Sequence, residues 1–275
     1  MLNTIMKMLS YPFLVNALIV GILVSLCASL LGVSLVLKRY SMIGDGLSHV
    51  GFAALAAAYA LNAAPLGIAV PVCVLAAFLL LRLKETSRLK GDAATALLCS
   101  GSLAVGVMTI SLTTGMNTDV CNYMFGSILS MSRSDVRLSV ILSAVVLVLY
   151  VFFYNRIFAV TFDETFAKAT GTRSNLYNML IALLTAVTVV LGMRIMGTLL
   201  ISSLIIFPSL SSMRLCRHFR PVILCSAVIS ASCFISGIFF SYLYSTPTGA
   251  SIVIANIIVF LIFSFIEKVK VGYHG

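Results

Sequence analysis

The chain is a succession of apolar runs, each about 17 to 25 residues long and separated by short polar connections; a run of that length crosses a hydrocarbon core of about 30 Å as a helix. Lipid offers backbone N–H and C=O groups no partner, so such runs close their hydrogen bonds internally as α-helices. Nine runs lie near residues 13–37, 45–62, 66–82, 93–114, 138–155, 176–193, 197–213, 221–243 and 249–266. Hydrophobic residues make up 61% of the chain and charged residues 9%, far from the roughly 25% charged of a soluble domain. The pattern predicts an all-α fold, a polytopic helical membrane protein of about nine transmembrane helices, with eight the alternative count. Residues 1–275 form one membrane domain, without a fixed-period repeat, low-complexity tract or soluble domain.

A net charge of +10 raises the question of nucleic acid, but the basic residues follow the connections. Lys38, Arg39, Arg82, Lys84, Arg88, Lys90, Arg156, Lys168, Arg173, Arg214, Arg217, Arg220, Lys268 and Lys270 fall on one side of the alternation, leaving Lys7, Arg133, Arg137 and Arg194 opposite. Lys and Arg collect in cytoplasmic loops, so the first group predicts a cytoplasmic C-terminus and, with nine spans, an outer N-terminus. An even count would break the alternation. Nucleic acid is not an expected partner; membrane lipid is. The first span lacks a small-residue cleavage pattern, so no signal peptide is expected.

The seven cysteines, Cys27, Cys73, Cys99, Cys121, Cys216, Cys225 and Cys233, are scattered, form no CxxC pair and lie mostly within apolar runs. They read as small apolar residues, with neither a disulfide framework nor a thiolate metal site.

Two connections are too long for plain turns. Residues 115–137 contain the apolar stretch 123–129, too short to cross the membrane, and predict a surface or re-entrant helix. In the other, Phe162-Asp163-Glu164-Thr165-Phe166-Ala167-Lys168-Ala169-Thr170-Gly171 opens on acid, continues through alanine and a base, and ends on glycine. Those are helix start and stop signals, and they predict a short cytoplasmic helix near 162–171.

Asp45 and His49 lie four residues apart in Gly44-Asp45-Gly46-Leu47-Ser48-His49, at the mouth of an apolar run. Residues at i and i+4 share a helix face, and ionisable groups at membrane depth are costly enough to mark ion or substrate paths. Carboxylate oxygen with imidazole nitrogen suits zinc, manganese and ferrous iron better than alkali ions or cuprous copper. The plainer alternative is a polar helix start, with Asp45 as a cap beside Lys38 and Arg39 and His49 as a packed imidazole. One Asp and one His are too few for a closed site, since zinc takes four ligands. A two-fold dimer would supply a second pair.

Gly197-Thr198-Leu199-Leu200-Ile201-Ser202-Ser203-Leu204-Ile205-Ile206-Phe207-Pro208-Ser209 places small hydroxyl residues and a proline inside a span. Ser202, Ser203 and Pro208 are candidate pathway-lining residues; close helix packing with a proline kink is the simpler account. The chain carries no GxxxxGK[ST] phosphate loop and no Ser-His-Asp set, so it is not expected to act as an enzyme or to hydrolyse ATP itself.

Residues 37–49, 162–171 and 197–202 resemble, in order and spacing, the permease subunits of bacterial ABC importers for zinc, manganese and iron, of the type II architecture, and the likeness runs from about residue 10 to residue 266. The resemblance implies a homodimer in the bacterial plasma (inner) membrane, two ATP-binding subunits and an extracellular or periplasmic metal-binding protein. No cofactor would be held permanently; the cargo would be a divalent Mn, Zn or Fe ion, and ATP would bind the partner. Asp45 and His49 would match the family's pathway pair. Phe162, Asp163, Glu164, Ala167, Lys168 and Gly171 would belong to the coupling helix that docks on an ATPase. The family commonly has Ala where this chain has Gly46. The residues alone leave open a proton-coupled secondary metal transporter and a structural or sensory membrane protein.

Overall fold

The structure, a computed structural model, describes residues 11–86, 91–113 and 133–272. Among the described residues every regular element is helical. They are α1 (Pro12–Leu37), α2 (Ile43–Ala60), α3 (Pro65–Thr86), α4 (Gly91–Thr113), α5 (Arg133–Phe152), α6 (Tyr154–Phe162), α7 (Glu164–Ala169), α8 (Ser174–Met196), α9 (Thr198–Leu215), α10 (Phe219–Tyr244) and α11 (Thr248–Gly272).

Nine of these fall on the nine expected runs, but only α1, α3, α4, α5, α8, α10 and α11 are both long and apolar enough to cross a membrane. The two others differ for visible reasons. Asp45, His49 and three glycines dilute the apolar character of α2, and the apolar part of α9 is the shorter stretch Leu200–Leu215. The run near 138–155 is also corrected. Helix α5 starts at Arg133 and stops at Phe152, and a separate amphipathic helix, α6, follows. The surface or re-entrant helix expected around 123–129 lies outside the described residues.

Helices α1 and α8 form the interior. Helix α1 touches α5, α8, α9 and α10, with α2, α3 and α4 grouped on one flank and α9, α10 and α11 on the other. Lipid is as apolar as leucine, so such helices associate through close packing and hydrogen bonds rather than through a hydrophobic drive. Serines supply both here. Ser209 and Ser226 donate to the Ser29 carbonyl at 3.4 Å, and Ser230 donates to the Ser25 carbonyl at 3.0 Å. Ser34 and Tyr150 hydroxyls meet at 3.4 Å between α1 and α5. Each bond of this kind contributes about 0.6 kcal/mol, so together they fix helix register more than they stabilise the bundle.

The corners follow local chemistry. Pro12 opens α1, where its missing N–H costs nothing. At the other end Tyr40 N–H reaches the Leu35 carbonyl and Arg39 N–H the Val36 carbonyl, the paired bonds of a Schellman stop. Arg39 occupies the left-handed position there, at φ 58°.

Candidate metal site and cytoplasmic helix

The Schellman stop turns the chain so that α2 begins four residues after Arg39, at Ile43. Asp45 then stands in the first turn of α2, with Ser48 Oγ donating to its carbonyl at 2.7 Å. One helical turn on, His49 Nε2 lies 4.0 Å from Asp45 Oδ2. The side chains are 18% and 33% exposed for His49 and Asp45, so both are reachable without being fully solvated. Two ligands about 2.1 Å from one tetrahedral ion stand roughly 3.4 Å apart. A shift of about half an ångström, within the freedom of side-chain torsions, would therefore let both atoms bind one ion.

A third donor joins them. Cys99, on α4, brings Sγ to within 4.8 Å of the carboxylate and imidazole donor atoms, so the three residues form one group. Helices α2 and α4 run parallel in close contact. A methyl on Gly46 would stand 3.0 Å from Thr95 Cγ2 and 3.8 Å from Cys99 Sγ, and one on Gly106 would stand 3.2 Å from Ala53 Cα. Glycine at 106 thus admits the α2 backbone closely, while at 46 a methyl would crowd Thr95 and meet Cys99 Sγ only at ordinary contact distance. The sequence reading, which took the cysteines as small apolar residues with no thiolate metal site, gave no sign that Cys99 lies beside this pair. The pair on α2 was visible as an i, i+4 spacing, whereas a donor about fifty residues onward needs the helix packing to be known.

Ser202 and Ser203 lie elsewhere. They line a cavity of about 560 Å³ with Leu200, Phe207, Ala250 and Val253, between α9 and α11. The Ser203 hydroxyl donates to the Leu200 carbonyl at 2.9 Å, and Ser212 to the Ser209 carbonyl at 2.8 Å. Pro208 is buried in α9. The geometry does not join these residues to the Asp45 group.

At the other sequence-predicted segment, Asp163 caps α7. Its Oδ1 accepts from Phe166 N–H at 2.9 Å and from Thr165 Oγ1 at 2.5 Å. The Phe166 and Thr165 bonds hold the Asp163 carboxyl below its ordinary range. Thr172 N–H returns to the Ala167 carbonyl and Gly171 N–H to the Lys168 carbonyl, with Gly171 at φ +80°, a second Schellman stop. Ala167 is buried while Phe162 and Phe166 stand exposed. The expected single helix over 162–171 resolves into the end of α6, which holds Phe162, and the separate α7.

Helix α7 is tied back to the turn before α2. Lys38 bonds the Asn178 side chain and lies 3.6 Å from Glu164 Oε2, while Glu164 Oε1 pairs with Lys168 at 2.9 Å. Burial draws the Lys38 ammonium below the usual lysine range, with Glu164 opposing. Burial pushes Glu164 the other way, but hydrogen bonds from Lys168 and Asn178 and the Lys38 charge outweigh it and leave the carboxyl lowered.

A sequence profile described as the ABC 3 transport family matches residues 10–267. The manganese transport system membrane protein MntC of Halalkalibacterium halodurans is 32% identical over 95% of this chain and 90% of its own length. The high-affinity zinc uptake system membrane protein ZnuB of Haemophilus influenzae is 27% identical over 93% of this chain and 98% of its own length. Among solved structures, PsaBC from Streptococcus pneumoniae in complex with Fab contains a chain 29% identical to this one, with a TM-score of 0.86 over 95% of this chain and 94% of that one.

Proposed function

The chain belongs to the ABC 3 transport family, and from that membership we propose that it is the membrane-spanning permease subunit of an ABC importer moving a divalent transition metal ion, manganese, zinc or iron, into the cytoplasm. The observation that carries the reading is the convergence of Asp45, His49 and Cys99 at the first turns of α2, three metal-type donors within 4.8 Å in an otherwise apolar bundle. Membership of an ABC family disfavours the proton-coupled carrier, which needs no ATPase.

Residues assigned to one side of the membrane meet one another, which supports the charge-based topology. Lys38 meets Glu164, and Arg156 donates to Thr172 at 3.2 Å. Arg214 pairs with Glu267. On the opposite side Arg194 holds Asp135 through two contacts of 2.9 and 3.2 Å. On this reading the C-terminus is cytoplasmic, and α7 faces the cytoplasm with Phe162 and Phe166 available to a groove on an ATP-binding subunit. ATP belongs to that partner. A two-fold dimer supplies the second donor set, and an extracellular or periplasmic binding protein delivers the ion.

Alternating access then needs each ATP-driven state of the partner to favour one arrangement of α7. Movement of α7 reaches the site through Glu164, Lys38 and the turn into α2. The test is purification of the tagged chain with its ATPase in proteoliposomes. Metal uptake that requires ATP and metal-stimulated hydrolysis is expected. Uptake driven by a proton gradient without the ATPase would overturn the proposal.

A further inference from the structure

We infer that Cys99 is a third ligand to the transported ion and that it biases the site toward zinc, and toward thiolate-accepting ions of similar character such as ferrous iron and cadmium, over manganese. The inference rests on the reading that Asp45 and His49 hold the ion, and adds the preferred cargo. Carboxylate and imidazole alone accept zinc and manganese alike; a thiolate does not, because sulfur favours zinc and iron while manganese suits oxygen. Manganese also stands lowest among these divalent ions in its affinity for nitrogen and sulfur donors.

Two independent features place the sulfur. The first is its distance, with Cys99 Sγ in the same 4.8 Å group as a carboxylate oxygen of Asp45 and an imidazole nitrogen of His49. The second is the packing of α4 on α2 at Gly46, where an added methyl would stand 3.0 Å from Thr95 Cγ2 and at an ordinary contact distance of 3.8 Å from Cys99 Sγ, so that this face of α4 lies directly against the turn that carries Asp45. Asp45, His49 and Cys99 give one oxygen, one nitrogen and one sulfur per subunit. That is one short of the four that close a zinc site, so a fourth ligand from water or from the second subunit leaves the ion exchangeable. On binding, the S–H bond breaks as the metal–sulfur bond forms, and the proton leaves to water.

The experiment uses the full-length permease with its ATPase and three probes, cadmium, zinc and manganese. Cadmium bound to the unaltered protein should give an ultraviolet sulfur-to-metal charge-transfer band, lost in both Cys99→Ser and Cys99→Ala. The ratio of zinc to manganese uptake should fall about tenfold or more in the same variants, the scale on which even supporting residues of metal sites act. An unchanged band and ratio in both variants, with metal binding still lost in His49→Ala, would remove Cys99 from the ligand set and leave the Asp45–His49 reading standing. Full metal binding in Asp45→Ala and His49→Ala would overturn the pair, and this inference with it.

Discussion

Replacing Lys38 with Met should weaken coupling between the ATPase and the permease without touching the metal donors. The Lys38 side chain is 7% exposed and sits 3.6 Å from Glu164, which is 35% exposed. At an effective dielectric of about 20, charges at this distance attract by roughly 5 kcal/mol before costs. Desolvating a nearly buried ammonium cancels much of that, and solvent around Glu164 screens more. A net coupling of about 1 kcal/mol is what remains for pairs of this exposure, equal to roughly a fivefold effect. The carboxyl of Glu164 is lowered, so its contribution is present above the ordinary carboxylate range and is lost as pH falls through the lowered value. The Glu164 carboxylate is therefore charged at neutral pH. Metal-stimulated ATP hydrolysis by the reconstituted complex should drop about fivefold in Lys38→Met and in Glu164→Gln, and the double variant should be little worse than either. Losses that multiply to about 25-fold would mean that the two residues act independently and that this contact carries no signal.

Two further outcomes follow from single contacts. Arg194→Met removes both contacts that the arginine makes with the nearly buried Asp135 carboxylate; it should destabilise the complex by about 3 kcal/mol, and Asp135→Asn in the same chain should restore part of the lost thermal stability. Asp163→Ala removes the cap of α7, so the Phe166 amide should exchange with deuterium faster than in the unaltered chain. Since the Asp163 carboxyl is lowered, the protection it gives should persist as pH falls through the ordinary aspartate range and fade only below it, a profile that exchange measured against pH will show or refute.

How legible the chain was depended on distance along it. The nine long helices among the described residues and the Asp45–His49 pair follow from patterns spanning one helix, and the α7 stops from Asp163 and Gly171, which act on backbone groups within three or four residues. Helix α6 was hidden because Phe152, Phe153 and Tyr154 carry the apolar pattern of α5 through the break, and nothing local marks Phe153 as its end. Cys99 was hidden more deeply. Its place beside the pair depends on how α2 packs against α4, with Gly46 near Thr95 and Gly106 against Phe52 and Ala53, while in sequence it is one small residue in an apolar run. Lys38 was read as a topology signal, and its buried bridge between α7 and α8 became visible only with Asn178 and Glu164 placed beside it.

The claim at the centre is that the ion passes through the donors at the start of α2. Uptake of radioactive zinc and manganese by proteoliposomes holding the complete importer, at matched amounts of assembled complex, tests it most directly. Asp45→Ala and His49→Ala should each abolish uptake of both ions while the ATPase remains bound, and the double variant should be no worse than either alone, because the residues share one ligand set. Normal uptake of both ions in His49→Ala would contradict the account and leave His49 as a packed imidazole at a helix start.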